Sequence, residues 1–335
     1  MTTIIEVAKR AGVSPTTVSH VINNTRFVSE DTRLRVMDAI SELDYRQNIL
    51  ARALRRGETH TLGLILPDSA NPFFAEVGRS IEEAAYEKNY NIILCNSEWN
   101  KEKEERYVKV LSEKQVDGVI FMATGDEPRS LSRLLEQDIP IVVVDRELED
   151  LEMDSVLTNN RDGGYAATRH LIDYGHQRIG CISGPSHITP SAQRVTGYQQ
   201  ALLDAGLTIE EELVVQGDFR PQTGYEAAHH LLTLNDPPSA IFVCNDMMAI
   251  GVLSLATSLG MRIPEDFSVV GFDNIELSTY TVPPLTTYSQ SKELMGYNAI
   301  KMLLERIHHR SQPARRVIVP GELVVRQSSG RKNAG

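Results

Sequence analysis

The chain has 335 residues, 41% of them hydrophobic and 24% charged, and its 34 Lys+Arg against 45 Asp+Glu give a formal net charge of -11. That length accommodates two or three domains, and the composition is that of a globular protein. It has no apolar run of bilayer-spanning length, no basic segment followed by an apolar core at the N-terminus, and only three scattered cysteines, Cys95, Cys181 and Cys244. Membrane insertion, a signal peptide, a disulfide framework and a zinc site are therefore not expected. The simple reading is a cytoplasmic protein with reduced thiols and no cofactor.

The first readable element is a pair of short helices over residues 3–23. Thr3 and Glu6 form a capping box, Gly12 lets the chain leave the first helix in a left-handed conformation, and Ser14 with Pro15 opens the second. Val18, Val21 and Ile22 fall on one face, and Thr16, Thr17 and His20 on another. This is the pattern of a helix-turn-helix, which reads base edges in the major groove from the start of its second helix. A third helix is predicted from Ser29 to Leu43, capped by Ser29, with Val36, Ile40 and Leu43 as its buried stripe. Residues 1–60 hold nine basic and seven acidic residues, and the remainder 25 and 38. The first 60 residues are thus the only part suited to face a polyanion.

Residues 45–57 are rich in Ala, Leu and Arg and bounded by Gly57. A helix this short is marginal alone, so a hinge that orders on docking is expected. From Thr61 the texture changes to short apolar runs alternating with amphipathic stretches: 62–66, 91–95, 118–122, 141–144, 179–183, 240–244 and 268–272. Such runs predict parallel strands buried on both faces, and their number calls for two doubly wound lobes facing a cleft, an α/β architecture. The predicted boundaries are a headpiece at 1–46, a hinge at 47–60, one lobe at 61–162 with 291–321, a second at 163–290 with 322–330, and a tail at 331–335. The polar tail has no apolar heptads and offers no coiled coil for assembly beyond a dimer.

Ligands in doubly wound folds bind beyond the carboxyl ends of the strands. There the sequence places Asn71, Phe73 and Phe74; Asp145 and Arg146; Arg194 and Thr196; Asp218 and Phe219; Asn245 and Asp246; Phe272 and Asp273; and Gln290. Carboxylates, amides and guanidinium groups suit a polyhydroxylated ligand, and aromatic rings suit the C–H faces of a sugar. A single Asp or Asn after a strand is more often a helix cap; seven strand ends carrying one chemistry are harder to dismiss. No G-x-x-x-x-G-K loop, metal-ligand cluster or G-x-S-x-G elbow is present, so no enzyme is expected.

Glu6–Ser14 and Thr17–Asn23, with Arg26–Ser29, Val116–Gly118, Asn245–Ala249 and Pro283–Thr287, resemble the LacI/GalR family of bacterial transcription repressors over almost the whole chain. Within it the chain looks most similar to the ribose operon repressors, with the purine repressors next. The resemblance implies a two-lobed core like that of periplasmic binding proteins. A periplasmic sugar-binding protein would share residues 61–330 but not the headpiece. It also implies base contacts by Thr16, Thr17 and His20, a DNA-binding place for Arg26, a wedge at Leu54 in the operator minor groove, and backbone contacts by Arg52, Arg55 and Arg56. Gln47 stands where many relatives have Pro. The implied effector site is Asn71, Phe73, Phe74, Asp145, Arg146, Arg194, Phe219, Asn245, Phe272, Asp273 and Gln290. Ribose is the expected inducer, releasing a homodimer from a pseudo-palindromic operator. The purine alternative shares Phe74, Arg194, Thr196, Phe219 and Asp273 and reverses the sign, its ligand acting as a corepressor.

Overall fold

A computed structural model describes residues 2–45, 58–122, 131–146 and 153–332. The chain divides into two compact units, Met1–Thr59 and His60–Gly335. The first holds helices α1 (Ile4–Ala11), α2 (Pro15–Asn23) and α3 (Glu30–Glu42). Both halves of the Thr3–Glu6 capping box form, Gly12 takes φ 66°, and Ser14 caps α2 by accepting from the Thr17 N–H. Ser29 precedes α3 but makes no capping bond to the backbone; its hydroxyl donates to Thr32 Oγ1 instead. Val7, Ala8, Ala11, Val18, Val21, Val36 and Ala39 form the headpiece core. Ile40 and Leu43 only border it, so the expected stripe on α3 is shifted toward Ala39.

The second unit contains two six-stranded sheets. In chain order its elements are β1 (Thr61–Leu66), α4 (Pro72–Glu87), β2 (Asn91–Asn96), α5 (Lys101–Glu113), β3 (Gly118–Phe121), α6 (Ser132–Glu136), β4 (Ile141–Val144), β5 (Asp154–Thr158) and α7 (Asn160–Asp173). They continue with β6 (Ile179–Ser183), α8 (Thr189–Asp204), β7 (Val214–Gln216), α9 (Pro221–Leu232), β8 (Ala240–Val243), α10 (Asp246–Ser258) and β9 (Ser268–Asp273). Last come β10 (Thr286–Gln290), α11 (Lys292–His308), β11 (Arg316–Val319) and β12 (Gly321–Val324).

The first sheet runs β11-β5-β4-β3-β1-β2 and is parallel throughout; the second runs β12-β10-β9-β8-β6-β7, parallel except for its edge strand β12. The chain therefore crosses between the sheets after β5, after β10 and after β11. Strand side chains alternate between faces. Leu62, Leu64, Leu66, Ile120 and Val142 pack with Phe74, Val77, Ile81 and Leu303, while Ile65, Val119, Phe121 and Val143 pack with Leu111. Burial on both faces is what continuous apolar runs require. Strand β2 departs from that expectation: it lies at the sheet edge, and Leu94 is exposed.

Among the described residues no helix is long and apolar enough to cross a membrane, and no cluster of His, Cys, Asp and Glu could hold a metal ion.

Candidate functional site

In the headpiece, α2 buries Val18 and Val21 and turns its other face outward. Thr16 and Arg26 are exposed, and Thr17 and His20 are half-buried. Thr17 Oγ1 lies 2.9 Å from Ser14 Oγ, and His20 Nδ1 lies 2.8 Å from Thr25 Oγ1, so both side chains are held by their own unit. Asn24, at φ 51°, ends α2, and its Oδ1 accepts from Arg33. Phe27 is 97% exposed beside Arg26. Arg52, Leu54 and Arg55 lie outside the described residues.

In the second unit, strand ends from both sheets meet around a narrow slot of about 30 Å³. The first sheet supplies Asn71, Phe73, Phe74, Trp99, Asp145 and Arg146; the second supplies Ile188, Pro190, Arg194, Phe219, Asn245 and Asp273. Phe73 packs edge-on against Phe74 at 5.3 Å between centroids, and Phe74 against Trp99 at 5.9 Å. The Arg146 guanidinium stands 5.9 Å from the Trp99 ring centroid.

Arg194 anchors the polar side. Its Nε donates to Asn160 Oδ1 at 2.8 Å, and its Nη1 donates to the Cys244 carbonyl at 2.6 Å and to Asp273 Oδ1 at 3.4 Å. The guanidinium lies 3.8 Å above the Phe272 ring. A close crossing of α7 and α8 puts Arg194 there. A Cβ on Gly164 would come within 2.1 Å of the Arg194 carbonyl oxygen, and one on Gly197 within 2.0 Å of that of Arg161. Only glycine fits at both positions.

Burial raises the Asp145 carboxyl above its ordinary range against the attraction of Arg194 and Arg146. Burial likewise pushes Asp273 up to about 6, opposed by Arg194 and by the Gln290 hydrogen bond. Asp145 Oδ1 and Gln290 Oε1 are buried without a hydrogen-bond partner. Asp145, Phe219 and Asp273 adopt φ values of 76°, 70° and 109°, and such backbone strain concentrates where side chains are held for a ligand.

Not every expected residue reaches the slot. Phe272 is fully buried beneath Arg194, and Gln290 stands behind Asp273, donating from Nε2 to Oδ1 at 2.7 Å. Thr196 is exposed and bonds the Ala192 carbonyl in its own helix. Asn71 and Asn245 line the slot but spend hydrogen bonds as helix caps, to the N–H groups of Phe73 and Met248, and Asn245 Nδ2 donates to the Phe219 carbonyl. Asp246 is fully buried, held by Thr287 and the Ile275 N–H. The reading of the sequence missed Trp99, Pro190 and Asn160; the signal for Trp99 was a lone tryptophan just beyond β2.

Residues 3–48 match the bacterial regulatory proteins of the lacI family, and residues 168–329 a periplasmic binding protein-like domain. The HTH-type transcriptional repressor PurR of Photobacterium profundum is 42% identical over 329 residues, covering 98% of each chain. The chain belongs to the lacI family of bacterial regulatory proteins. This LacI-family repressor is similar throughout to a lac repressor dimer bound to operator and the anti-inducer ONPF, with 26% identity, TM-score 0.86 and coverage of 98% of this chain and 99% of that one. It also resembles a LacI family transcriptional regulator from Enterococcus faecium with bound ribose, with 29% identity, TM-score 0.75 and coverage of 82% and 100%. The expected order of likeness, ribose operon repressors before purine repressors, gives way to full-length curated relatives named PurR.

Proposed function

We propose that this LacI-family repressor binds a two-half-site operator as a homodimer through Thr16, Thr17, His20 and Arg26, and that a purine in the interlobe slot controls it as a corepressor. The observation that carries the purine reading is the aromatic lining. Phe73, Phe74, Trp99 and Phe219 line the slot with apolar rings that suit a flat heterocycle, and Arg194 and Asp273 line it with a guanidinium and a carboxyl. The 42% identity to PurR proteins along the full chain supports it.

A slot of about 30 Å³ has room for roughly one water molecule. A ring enters only when the lobes part, which couples binding to lobe movement. The effector then acts by its differential affinity for two lobe arrangements, and operator and effector must change each other's affinity by the same factor.

A ribose reading rests on one specific observation. Asp145 Oδ1 is a buried acceptor with no partner, the group a sugar hydroxyl would satisfy. The ribose-bound relative from Enterococcus faecium adds to it.

Thermal shift with hypoxanthine, guanine, D-ribose, other pentoses and hexoses separates the two. The true effector at 100 times its Kd adds about 2.7 kcal/mol of stability. Stabilisation by hypoxanthine or guanine with tighter operator binding supports the purine reading; stabilisation by a sugar alone, with operator release, overturns it.

A further inference from the structure

A second cavity, of about 140 Å³, adjoins the slot, and Asp145, Arg146 and Pro190 line both. Its chemistry differs. The slot is walled by four aromatic rings; the second cavity has none. Leu157 is buried against it, and its rim carries Arg161, Gln193, Arg316 and Ile318, all four exposed. Between the two stands the Asp145 carboxyl, more than nine-tenths buried, its Oδ1 without a partner.

We infer that the effector is a purine nucleoside, its base in the aromatic slot and its sugar in the adjoining polar cavity. The inference rests on the purine reading of the slot and extends it to the substituent on the ring. The requirement comes from Asp145. A buried acceptor is costly unless something donates to it, and a ring lying between the aromatic side chains faces Arg194 and Asp273 on the opposite wall. A hydroxyl on a substituent reaching into the second cavity supplies the missing donor to Oδ1. Gln193 and Arg161 at the rim then meet the remaining hydroxyls, and Ile318 and Leu157 meet the carbon skeleton. A nucleoside divides in the same way as the two cavities, with a flat apolar heterocycle at one end and a hydroxyl-rich ring at the other. It also accounts for why the slot's chemistry points to a base while Asp145 points to a sugar.

Isothermal titration of the full-length protein with hypoxanthine, inosine and D-ribose tests this, beside an Ile318→Trp variant that fills the second cavity and a Gln193→Ala variant that removes a rim amide. Both positions are solvent-exposed, and melting without ligand checks that the variants fold. The expected result is inosine binding at least tenfold tighter than hypoxanthine. Ile318→Trp should abolish that advantage and leave hypoxanthine affinity unchanged, with Gln193→Ala weakening inosine alone. Hypoxanthine binding as tightly as inosine, or Ile318→Trp weakening both ligands alike, overturns the nucleoside. Binding of D-ribose with neither base nor nucleoside overturns the purine reading itself.

Discussion

Arg194 is the residue on which the slot turns. Its fork holds Asn160, the Cys244 carbonyl and Asp273 at once, over the Phe272 ring. A lysine keeps the charge but not the planar set of donors. Arg194→Lys should therefore lower effector affinity at least tenfold in calorimetry while the protein still folds. Asp273 makes a separate, pH-dependent prediction. Its carboxyl is raised from 3.8 to about 6, chiefly by burial. A group raised on folding contributes its stability fully below the unfolded value and loses it as pH climbs through the folded one. Without effector, stability should fall by on the order of 3 kcal/mol at most between pH 4 and 6. Asp273→Asn should flatten that slope in urea titrations across the window; an unchanged slope would place the titration elsewhere. Position along the chain explains which residues were legible. Asp145 and Arg194 could be read from strand ends and helix starts. Phe272 could not share the slot with Asp273, because neighbours on a strand point to opposite faces. Thr196, two residues after Arg194 on a helix, faces away for a similar reason.

At the scale of elements, local signals carried furthest. The Thr3–Glu6 box, Gly12 and the Ser14–Pro15 start form as expected because each is settled within four residues. Strand β5 was illegible because its polar residues are satisfied from far along the chain. Asp154 is buried and accepts from Arg306 at 2.8 and 3.1 Å and from Arg315 at 3.1 Å. Burial works against its charge, but the hydrogen bonds from Arg306 and Arg315 outweigh it and hold the carboxyl below its usual range. That stability is present above the unfolded value and lost as pH falls through the folded one. Asp154→Ala leaves Arg306 without its carboxylate and Arg315 with Glu305 alone, and should cost about 3 kcal/mol in urea unfolding. The α7–α8 crossing gives a further test. Gly164→Ala puts a methyl against the Arg194 backbone, and overpacking of this kind costs about 1–3 kcal/mol. Because Arg194 sits on the helix that must yield, the loss of effector affinity should exceed what the loss of stability accounts for.

Across the whole effector-binding unit, the slot is tied to a clasp between its two sheets. Glu76, on α4 beside the first sheet, accepts at 2.9 Å from the Glu276 N–H, in the segment after β9 of the second sheet, and at 2.9 Å from Nζ of Lys292, which opens α11 against α4. Lys292 also donates to the carbonyls of Asp273, at 3.2 Å, and Asn274, at 2.6 Å. The clasp thus grips the backbone of the residue whose carboxyl holds Arg194. The pair is largely shielded, with side chains 26% and 16% exposed, so it exceeds an exposed ion pair in strength but carries a desolvation cost. Glu76→Gln keeps an acceptor for the Glu276 N–H and removes the charge facing Lys292. With the clasp weakened, effector affinity should fall severalfold in calorimetry. The factor by which effector changes operator affinity should shrink, and operator should change effector affinity by that same reduced factor, because a coupling between two binding sites is reciprocal. Weaker effector binding with an undiminished operator response would make Glu76 a support for the slot alone; no change in either would remove the clasp from the closure.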